Sequence, residues 1–328
     1  MKIPGFVRSL AAPALARLDH RIDARVAEAL SRRTVSAQPV AADDSTRRKV
    51  YVPPIRDVML NSDAPFMQFA TCSASDFMHP EFARICESLN IRLRFLRKLW
   101  EYAYIVHHLE RAGMLEAGSR GVVFGVGAEP LPAAFAARGC EIVATDAPPD
   151  IADVGGWREY RHTEAVDALT NGGICDPETL RERVSHRFVD MNEIPADLVG
   201  FDFAWSACCF EHLGSLQHGA DFVVNSVERC LRPGGVAVHT TEYNLSSNDE
   251  TLEVPNLSIY RRRDIDALID RLRDRGHAVS ELAIAPDSSY LDQYVDLRPY
   301  SGELHLKLEL AGYTTTSVGL VIERGPRN

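Results

Sequence analysis

Residues 122–129 read Val-Val-Phe-Gly-Val-Gly-Ala-Glu. Three apolar residues lead directly into two glycines, Gly125 and Gly127, and a helical pattern follows from Pro130 to Arg138. This order is typical of the first βα unit of a parallel sheet, where glycines let a ligand approach the backbone at the carboxyl end of the strand. The segment therefore predicts a ligand site at this turn.

A carboxylate follows at the end of the next apolar segment. Residues Glu141 to Thr145 predict a second strand, and Asp146 comes directly after it, 19 residues beyond Gly127. A carboxylate at this point can accept hydrogen bonds from ribose hydroxyls. Because dinucleotide-binding folds share both features, the two alone leave a nicotinamide cofactor open.

The rest of the chain alternates strand and helix, which predicts a parallel sheet covered on both faces. At the end, a helix from Asp264 to Arg275 is followed by a strand-like segment from Ala278 to Ile284 and a closing strand from Thr315 to Glu323. This order favours an antiparallel edge on the parallel sheet. The predicted parallel strands are Gly121 to Phe124, Glu141 to Thr145, Ser185 to Val189, Phe201 to Ser206 and Val236 to Thr240.

Two later motifs separate the alternatives. The fourth strand is followed by Glu211-His212-Leu213, expected to open a helix, and Leu231-Arg232-Pro233-Gly234-Gly235 is expected to precede the fifth strand. With these motifs in order, the chain from about residue 90 to 325 resembles the class I S-adenosylmethionine-dependent methyltransferases. The resemblance implies an α/β, Rossmann-like, seven-stranded and mostly parallel sheet with an antiparallel last strand, and S-adenosylmethionine as cofactor.

The resemblance also implies a set of cofactor-binding residues. The glycine turn would face the methionine end of the cofactor, Asp146 would hold the ribose, three residues after the third strand would flank the adenine, and the end of the fourth strand would line the cofactor. The alternative is an ordinary glycine turn with a helix-capping aspartate. The implied residues are Gly125, Gly127, Glu129, Asp146, Asp190, Met191, Asn192, Ser206 and Ala207.

The acceptor is indicated by a narrower resemblance. Residues 97–101, 124–131 and 239–244 look like segments of the methyltransferases of bacterial polysaccharide biosynthesis. That implies an O-methyltransferase acting on a sugar hydroxyl of a glycan. Two alternatives stay open, a small-molecule or natural-product O- or N-methyltransferase and a catalytically silent binding subunit, because fold and cofactor do not fix the substrate.

A sugar hydroxyl is a poor nucleophile, so its methylation needs a general base or a metal ion. The candidates are Glu211, His212, His239 and Glu242, which follow or finish the fourth and fifth strands. Structural alternatives stay open: Glu211 and His212 could favour the start of a helix or hydrogen-bond a loop. His239 could be a hydrogen-bonded core residue.

A metal is the alternative to the base. Residues 208–212, together with 241–244, are similar to the E-x-x-E-H arrangement of small-RNA terminal 2′-O-methyltransferases, which hold a divalent metal. Cys208 stands where the first glutamate would be, and sulfur suits Mg²⁺ poorly. We therefore favour a metal-free base, with the metal ligands undetermined.

The N-terminal residues form a separate arm. Apolar residues recur at helical spacing with arginines between them over residues 8–33, which predicts an amphipathic helix, and residues 34–48 are a polar linker. Residues 1–50 carry ten Lys/Arg against five Asp/Glu. We expect the helix to pack on its own or a sister subunit, with an anionic membrane surface as the alternative.

The methyltransferase domain is expected to span residues 49–328. It includes a helical lead-in at 49–118, with helices beginning at His79 or Pro80 and running from about Arg92 to Ala112. An insertion at 147–184 contains Trp157, Tyr160, His162 and Gly172-Gly173 and is expected at the ligand-binding rim. Its residues would either shape the acceptor pocket or serve packing or dimerisation.

Composition sets the outer limits. The net charge of −10 disfavours nucleic acid as a partner, since binding phosphates requires clustered Lys and Arg. The seven cysteines have no zinc-site spacing, and no apolar run approaches the roughly 18 residues of a membrane span. We therefore expect a cytoplasmic enzyme, with the arm as a route to the inner membrane surface.

Overall fold

The computed structural model describes residues 63–151, 166–170, 173–302 and 304–326. Most of its helices begin where the sequence supplies a capping side chain or a proline. At α2, the His79 side chain accepts the Glu81 backbone N–H and Pro80 is the first helical residue. The helices are α1 (Ala74–Phe77), α2 (Pro80–Ser88), α3 (Arg97–Arg111), α4 (Leu131–Ala137), α5 (Pro177–Arg183), α6 (Leu216–Asn225), α7 (Arg262–Asp274) and α8 (Tyr290–Gln293).

The described residues form a main sheet of eight strands. Seven follow the order β3-β2-β1-β4-β5-β10-β8, and β9 pairs with β10 in addition. The strands β1 to β5 pair in parallel, whereas β10 runs antiparallel to each of its partners. The bounds are β1 (Arg120–Phe124), β2 (Glu141–Asp146), β3 (Val184–Phe188), β4 (Phe201–Ala207), β5 (Leu231–Asn244), β8 (Ala278–Val279), β9 (Leu308–Leu310) and β10 (Tyr313–Glu323), with β6 (Glu253–Val254) and β7 (Leu257–Ser258) forming a separate pair.

This topology confirms the mostly parallel sheet with an antiparallel last strand and adds β9 to the seven strands expected. The strand-like segment after α7 is shorter than predicted, because only Ala278 and Val279 pair with β10.

Two predicted helix starts were wrong. Helix α3 begins at Arg97 rather than near Arg92, because Leu96 is extended and forms a bridge with His305. Glu211 and His212 lie in a short 3-10 turn, and α6 begins only at Leu216, where Ser215 supplies the cap.

The Leu231-Arg232-Pro233-Gly234-Gly235 motif lies inside β5 rather than before it. The pairing of β5 with β4 shifts register between Phe201 and Phe203, at a bulge that this motif fills.

Hydrophobic residues of alternate strand positions pack into two clusters on opposite faces of the sheet. Helices α3 and α4 cover one face, where Phe203, Trp205 and Val238 are buried. Helices α6 and α7 cover the other, where Ala204 and Ala237 are buried. We call these the α3 face and the α6 face.

Several sequence predictions lie outside the described residues. These are the amphipathic helix at 8–33, the linker at 34–48, and Trp157, Tyr160, His162 and Gly172 of the insertion. Within the described ranges, no helix is long and apolar enough to cross a bilayer.

Candidate functional site

The glycine turn after β1 is tied to the end of β2. Gly125 and Gly127 both have positive φ, +67° and +50°, a conformation that side chains disfavour. One carboxylate oxygen of Asp146 accepts the Gly127 backbone N–H at 3.0 Å, and the other accepts that of Ala147 at 2.9 Å. The carboxylate therefore ties the glycine turn to the start of the segment that follows β2.

Glu129 lies just beyond this turn and is buried. Its Oε1 accepts the indole N–H of Trp205 at 2.6 Å. Burial raises the pKa of Glu129 to about 8, against the lowering effects of the Trp205 hydrogen bond and the nearby Lys98 ammonium. Glu129 is thus a carboxyl group held at the turn in a low-dielectric setting.

The other predicted cofactor residues differ in placement. Asp190 is half-buried and accepts the backbone N–H of Asn192 at 2.8 Å, while Met191 is buried beside them. Ala207 ends β4 at the same edge of the sheet. Ser206, in contrast, is fully buried on the α6 face and binds His239, so its hydroxyl points away from the edge.

The four candidate catalytic residues divide between the two faces of the sheet. On β5, His239 and Thr241 point to the α6 face, where Thr241 donates to Glu211 Oε2 at 3.0 Å. Glu242 is offset by one residue from Thr241 and points to the α3 face, where it meets Arg97.

His239 is fully buried, and both of its ring nitrogens are engaged. Nδ1 lies 2.8 Å from Ser206 Oγ, and Nε2 lies 3.0 Å from Ser226 Oγ. Burial lowers its pKa to about 3. These contacts fit the hydrogen-bonded core position and disfavour His239 as a general base.

Glu211 and His212 lie in the turn after β4, Glu211 buried and His212 half-buried. His212 Nδ1 is 2.7 Å from the backbone carbonyl of Asn256. Since a carbonyl oxygen only accepts, Nδ1 carries the proton, and the lone pair of the neutral ring is on Nε2. Burial raises the pKa of Glu211, while the charge of His212 opposes that rise.

Glu242 forms a buried ion pair. Its Oε2 is 2.6 Å from Arg97 Nη1, and the two side chains are 4% and 8% exposed. Among the residues that the structure describes, Glu242 Oε1 has no hydrogen-bond partner. A buried carboxylate oxygen without a donor is costly, so this atom is a candidate contact for a hydroxyl of the acceptor.

Sequence reasoning missed the charged residues at the start of α3. Arg97, Lys98 and Glu101 are all buried or nearly so, and Lys98 Nζ is 2.5 Å from Glu101 Oε2. The available signal was three charged residues within five positions at the start of a helix whose other residues are mainly apolar or aromatic. Their partners lie far along the chain, which sequence spacing cannot show.

Cys208, directly after β4, contacts the carboxylate of Glu101 on α3. Its backbone has a φ of +52°, and its Sγ is 3.1 Å from Glu101 Oε1. Positive φ at a non-glycine residue marks local strain, which often occurs at functional sites. Within the described residues, no three His, Cys, Asp or Glu side chains are arranged to hold a metal ion.

Comparisons with known proteins find only distant structural similarity. No family model and no curated protein matches the chain. Solved structures with a similar fold include the phosphoethanolamine N-methyltransferase 2 of Haemonchus contortus with S-adenosyl-L-methionine, at 14% identity and a TM-score of 0.41, covering 67% of this chain and 52% of that one. An amino pentose methyltransferase from Micromonospora echinaspora has 14% identity and a TM-score of 0.37, covering 67% and 89%.

A cyclase has the same level of similarity, with 15% identity and a TM-score of 0.40, covering 67% of this chain and 80% of that one. Similarity this distant carries no argument about activity. The function proposed below therefore rests on the site and on the motif resemblance.

Proposed function

We propose that this chain is an S-adenosylmethionine-dependent O-methyltransferase whose acceptor is a sugar hydroxyl of a glycan. The observation that carries the cofactor assignment is the Asp146 carboxylate, which ends β2 and accepts the backbone N–H of Gly127 in the glycine turn. A carboxylate at this position in an open α/β sheet suits the two ribose hydroxyls of a nucleoside. The seven cysteines are all unpaired, in keeping with the cytoplasmic location proposed for it.

The residues at the turn fit such a cofactor. At Gly125, a Cβ would lie 2.7 Å from Cys209 Sγ, so only glycine lets the turn lie this close to the end of β4. Asp146 would hold the ribose, Met191 would contact the adenine, and Glu129 would lie near the methionine end. When bound, S-adenosylmethionine supplies a methyl group on a sulfonium ion, which is electrophilic without further activation.

On the acceptor side, we propose that His212 removes the hydroxyl proton. The Asn256 carbonyl fixes the tautomer with the Nε2 lone pair, as a general base requires. The negative charge of Glu242 is balanced by its ion pair with Arg97. Its Oε1 would accept a hydrogen bond from a neighbouring hydroxyl and so orient the sugar. A divalent metal that grips two sugar oxygens is the alternative activator.

The cofactor assignment is tested by calorimetry with Asp146→Ala. We expect S-adenosylmethionine binding to weaken by about 1–3 kcal/mol, because the ribose loses a charged acceptor. Asp202→Ala is the matched control, since Asp202 accepts the Arg120 backbone N–H at 2.7 Å at the opposite edge of the sheet. Equal affinity in wild type and Asp146→Ala would remove Asp146 from the site.

The acceptor is found by comparing mass spectra of surface glycans from cells with and without this protein, where loss of one methyl group identifies the sugar. With that sugar, His212→Ala and Glu242→Gln should each lower kcat by about 100-fold while S-adenosylmethionine affinity changes little. The control is His218→Ala, whose Nδ1 also binds a loop carbonyl, that of Leu213 at 3.1 Å.

Two conditions separate the base from the metal. With His212 as base, turnover should fall on acidification, because a protonated imidazole cannot accept a proton, and it should persist in a chelator. If chelation abolishes turnover, the metal mechanism replaces ours. If glycans are unchanged and a small molecule is methylated instead, the acceptor is wrong but the cofactor assignment stands.

A further inference from the structure

A buried cation lies at the carboxyl edge of the sheet on the α3 face. Lys98, in the first turn of α3, has a side chain that is 13% exposed. Its Nζ is 2.5 Å from Glu101 Oε2 and 3.3 Å from the carbonyl oxygen of Ala207, the last residue of β4. An ammonium has three N–H donors, and these two contacts use two of them.

A short series of contacts connects Lys98 to the glycine turn. Cys209 Sγ is 3.4 Å from the Ala207 carbonyl oxygen and 3.4 Å from that of Gly125. The ammonium therefore touches the same carbonyl group as the thiol that contacts the turn. Lys98 also lowers the pKa of Glu129, which lies just beyond the turn, so its charge acts across this space.

Lys98 keeps its charge in spite of burial. Burial alone would lower its pKa, but the neighbouring Glu101 and Cys208 raise the pKa well above its ordinary value. Glu101 is itself held in place, because its Oε1 accepts Ser317 Oγ at 2.6 Å and Cys208 Sγ at 3.1 Å. The result is a rigid cation with one donor left over, next to a turn suited to the amino-acid end of a cofactor.

We propose that Lys98 binds the α-carboxylate of S-adenosylmethionine and that Glu101 is the positioning residue that fixes its ammonium. This inference rests on the proposed function. In this proposal, α3 acts together with the glycine turn to select a cofactor that has an amino-acid tail over a cofactor that lacks such a tail. A lysine–glutamate pair also complements a zwitterion, since each charge of the pair attracts one charge of the tail.

The experiment compares S-adenosylmethionine with decarboxylated S-adenosylmethionine, which keeps the adenosine, sulfonium and amine but lacks the carboxylate. Calorimetry on the full chain gives both dissociation constants for wild type and Lys98→Met. We expect wild type to prefer the carboxylate form by about 10-fold to 100-fold, as for a hydrogen bond between charged groups. In Lys98→Met this preference should disappear because S-adenosylmethionine binds more weakly. The affinity for the decarboxylated form should stay within about 3-fold of wild type.

Two further variants make the result decisive. Lys98→Arg keeps the charge and should keep most of the preference, and it serves if Lys98→Met does not fold. Lys307→Met is the matched control, because Lys307 is a similarly buried lysine paired with Asp287. We expect that variant to leave both dissociation constants unchanged.

The possible outcomes are distinct. Equal loss of affinity for both compounds in Lys98→Met, or loss for neither, would overturn the role of Lys98 and leave the proposed function standing. If wild type binds neither compound, the proposed function fails, and this inference fails with it.

Discussion

His239 sits inside the sheet as a neutral imidazole between two serine hydroxyls. Its pKa in the folded protein is about 3, whereas the unfolded value is about 6.5. Between these two pH values, His239 is protonated in the unfolded chain and neutral in the folded chain. The stability that depends on a neutral His239 is therefore complete above about pH 6.5 and is lost as pH falls toward 3.

From this we predict a flatter acid profile for His239→Asn. Between pH 7 and pH 5, urea unfolding should show wild type losing about 2 kcal/mol more of its unfolding free energy than the variant. His218→Asn, at an exposed histidine, should keep the wild-type profile. Parallel profiles for wild type and His239→Asn would mean that His239 is protonated in the folded protein.

At the same scale, local pattern predicted that a glycine turn after β1 would lie near a carboxylate at the end of β2. Gly125, Gly127 and Asp146 could be selected as candidates because strand, glycine and carboxylate follow one another at short spacing. The role of His239 could not be assigned, because its two serine partners are on β4 and next to α6, and only packing brings them to its ring.

Helix α3 carries the charged residues Arg97, Lys98 and Glu101, which the sequence analysis did not select. The close packing of this helix on β10 depends on one glycine. A Cβ on Gly319 of β10 would lie 2.2 Å from the Tyr104 ring, so the helix can pack this close only because residue 319 lacks a side chain. Glycine is otherwise unfavourable inside a strand.

We predict that Gly319→Ala destabilises the protein by about 1–3 kcal/mol, because the new methyl group displaces Tyr104. Because α3 also carries Lys98, S-adenosylmethionine affinity should fall with it. Both effects are measured by urea unfolding and calorimetry, and Tyr104→Leu in the same chain should restore part of each. If Gly319→Ala has the unfolding free energy of wild type, α3 can move away from β10 without loss of stability, and the prediction is wrong.

Element types were easier to predict than element ends. Helix α2 and strands β1 and β2 begin within a residue of their predicted starts, since a proline or an apolar run marks them locally. The start of α3 was missed because its limit is set by a backbone bridge from Leu96 to His305, more than 200 residues away in sequence.

For the whole molecule, we predict that deletion of residues 1–48 leaves a folded, cofactor-binding protein. The polar, aperiodic sequence at 34–48 predicts a linker, and the described residues already bury both faces of the sheet. Thermal unfolding and calorimetry check the core. An insoluble product without affinity would place the arm inside the domain.

The deletion of residues 1–48 also tests the two roles expected for the arm. We expect the oligomeric state, measured by sedimentation, to change if residues 8–33 pack on a sister subunit. Loss of binding to vesicles containing anionic lipid, with an unchanged oligomeric state, would favour the membrane surface instead.

The sequence by itself determined the βαβ order, the glycine turn, Asp146 and the antiparallel closing strand, because each follows from periodicity or from adjacent residues. Tertiary structure alone decided which candidate residues share a face. A shift of one position along a strand reverses the side chain's direction, so Thr241 and Glu242 point to opposite faces of the sheet. Tertiary structure also brought Arg97 to Glu242, 145 residues apart, and Glu101 to Ser317, 216 residues apart. Such contacts depend on how α3 crosses the sheet, and no local pattern encodes that crossing.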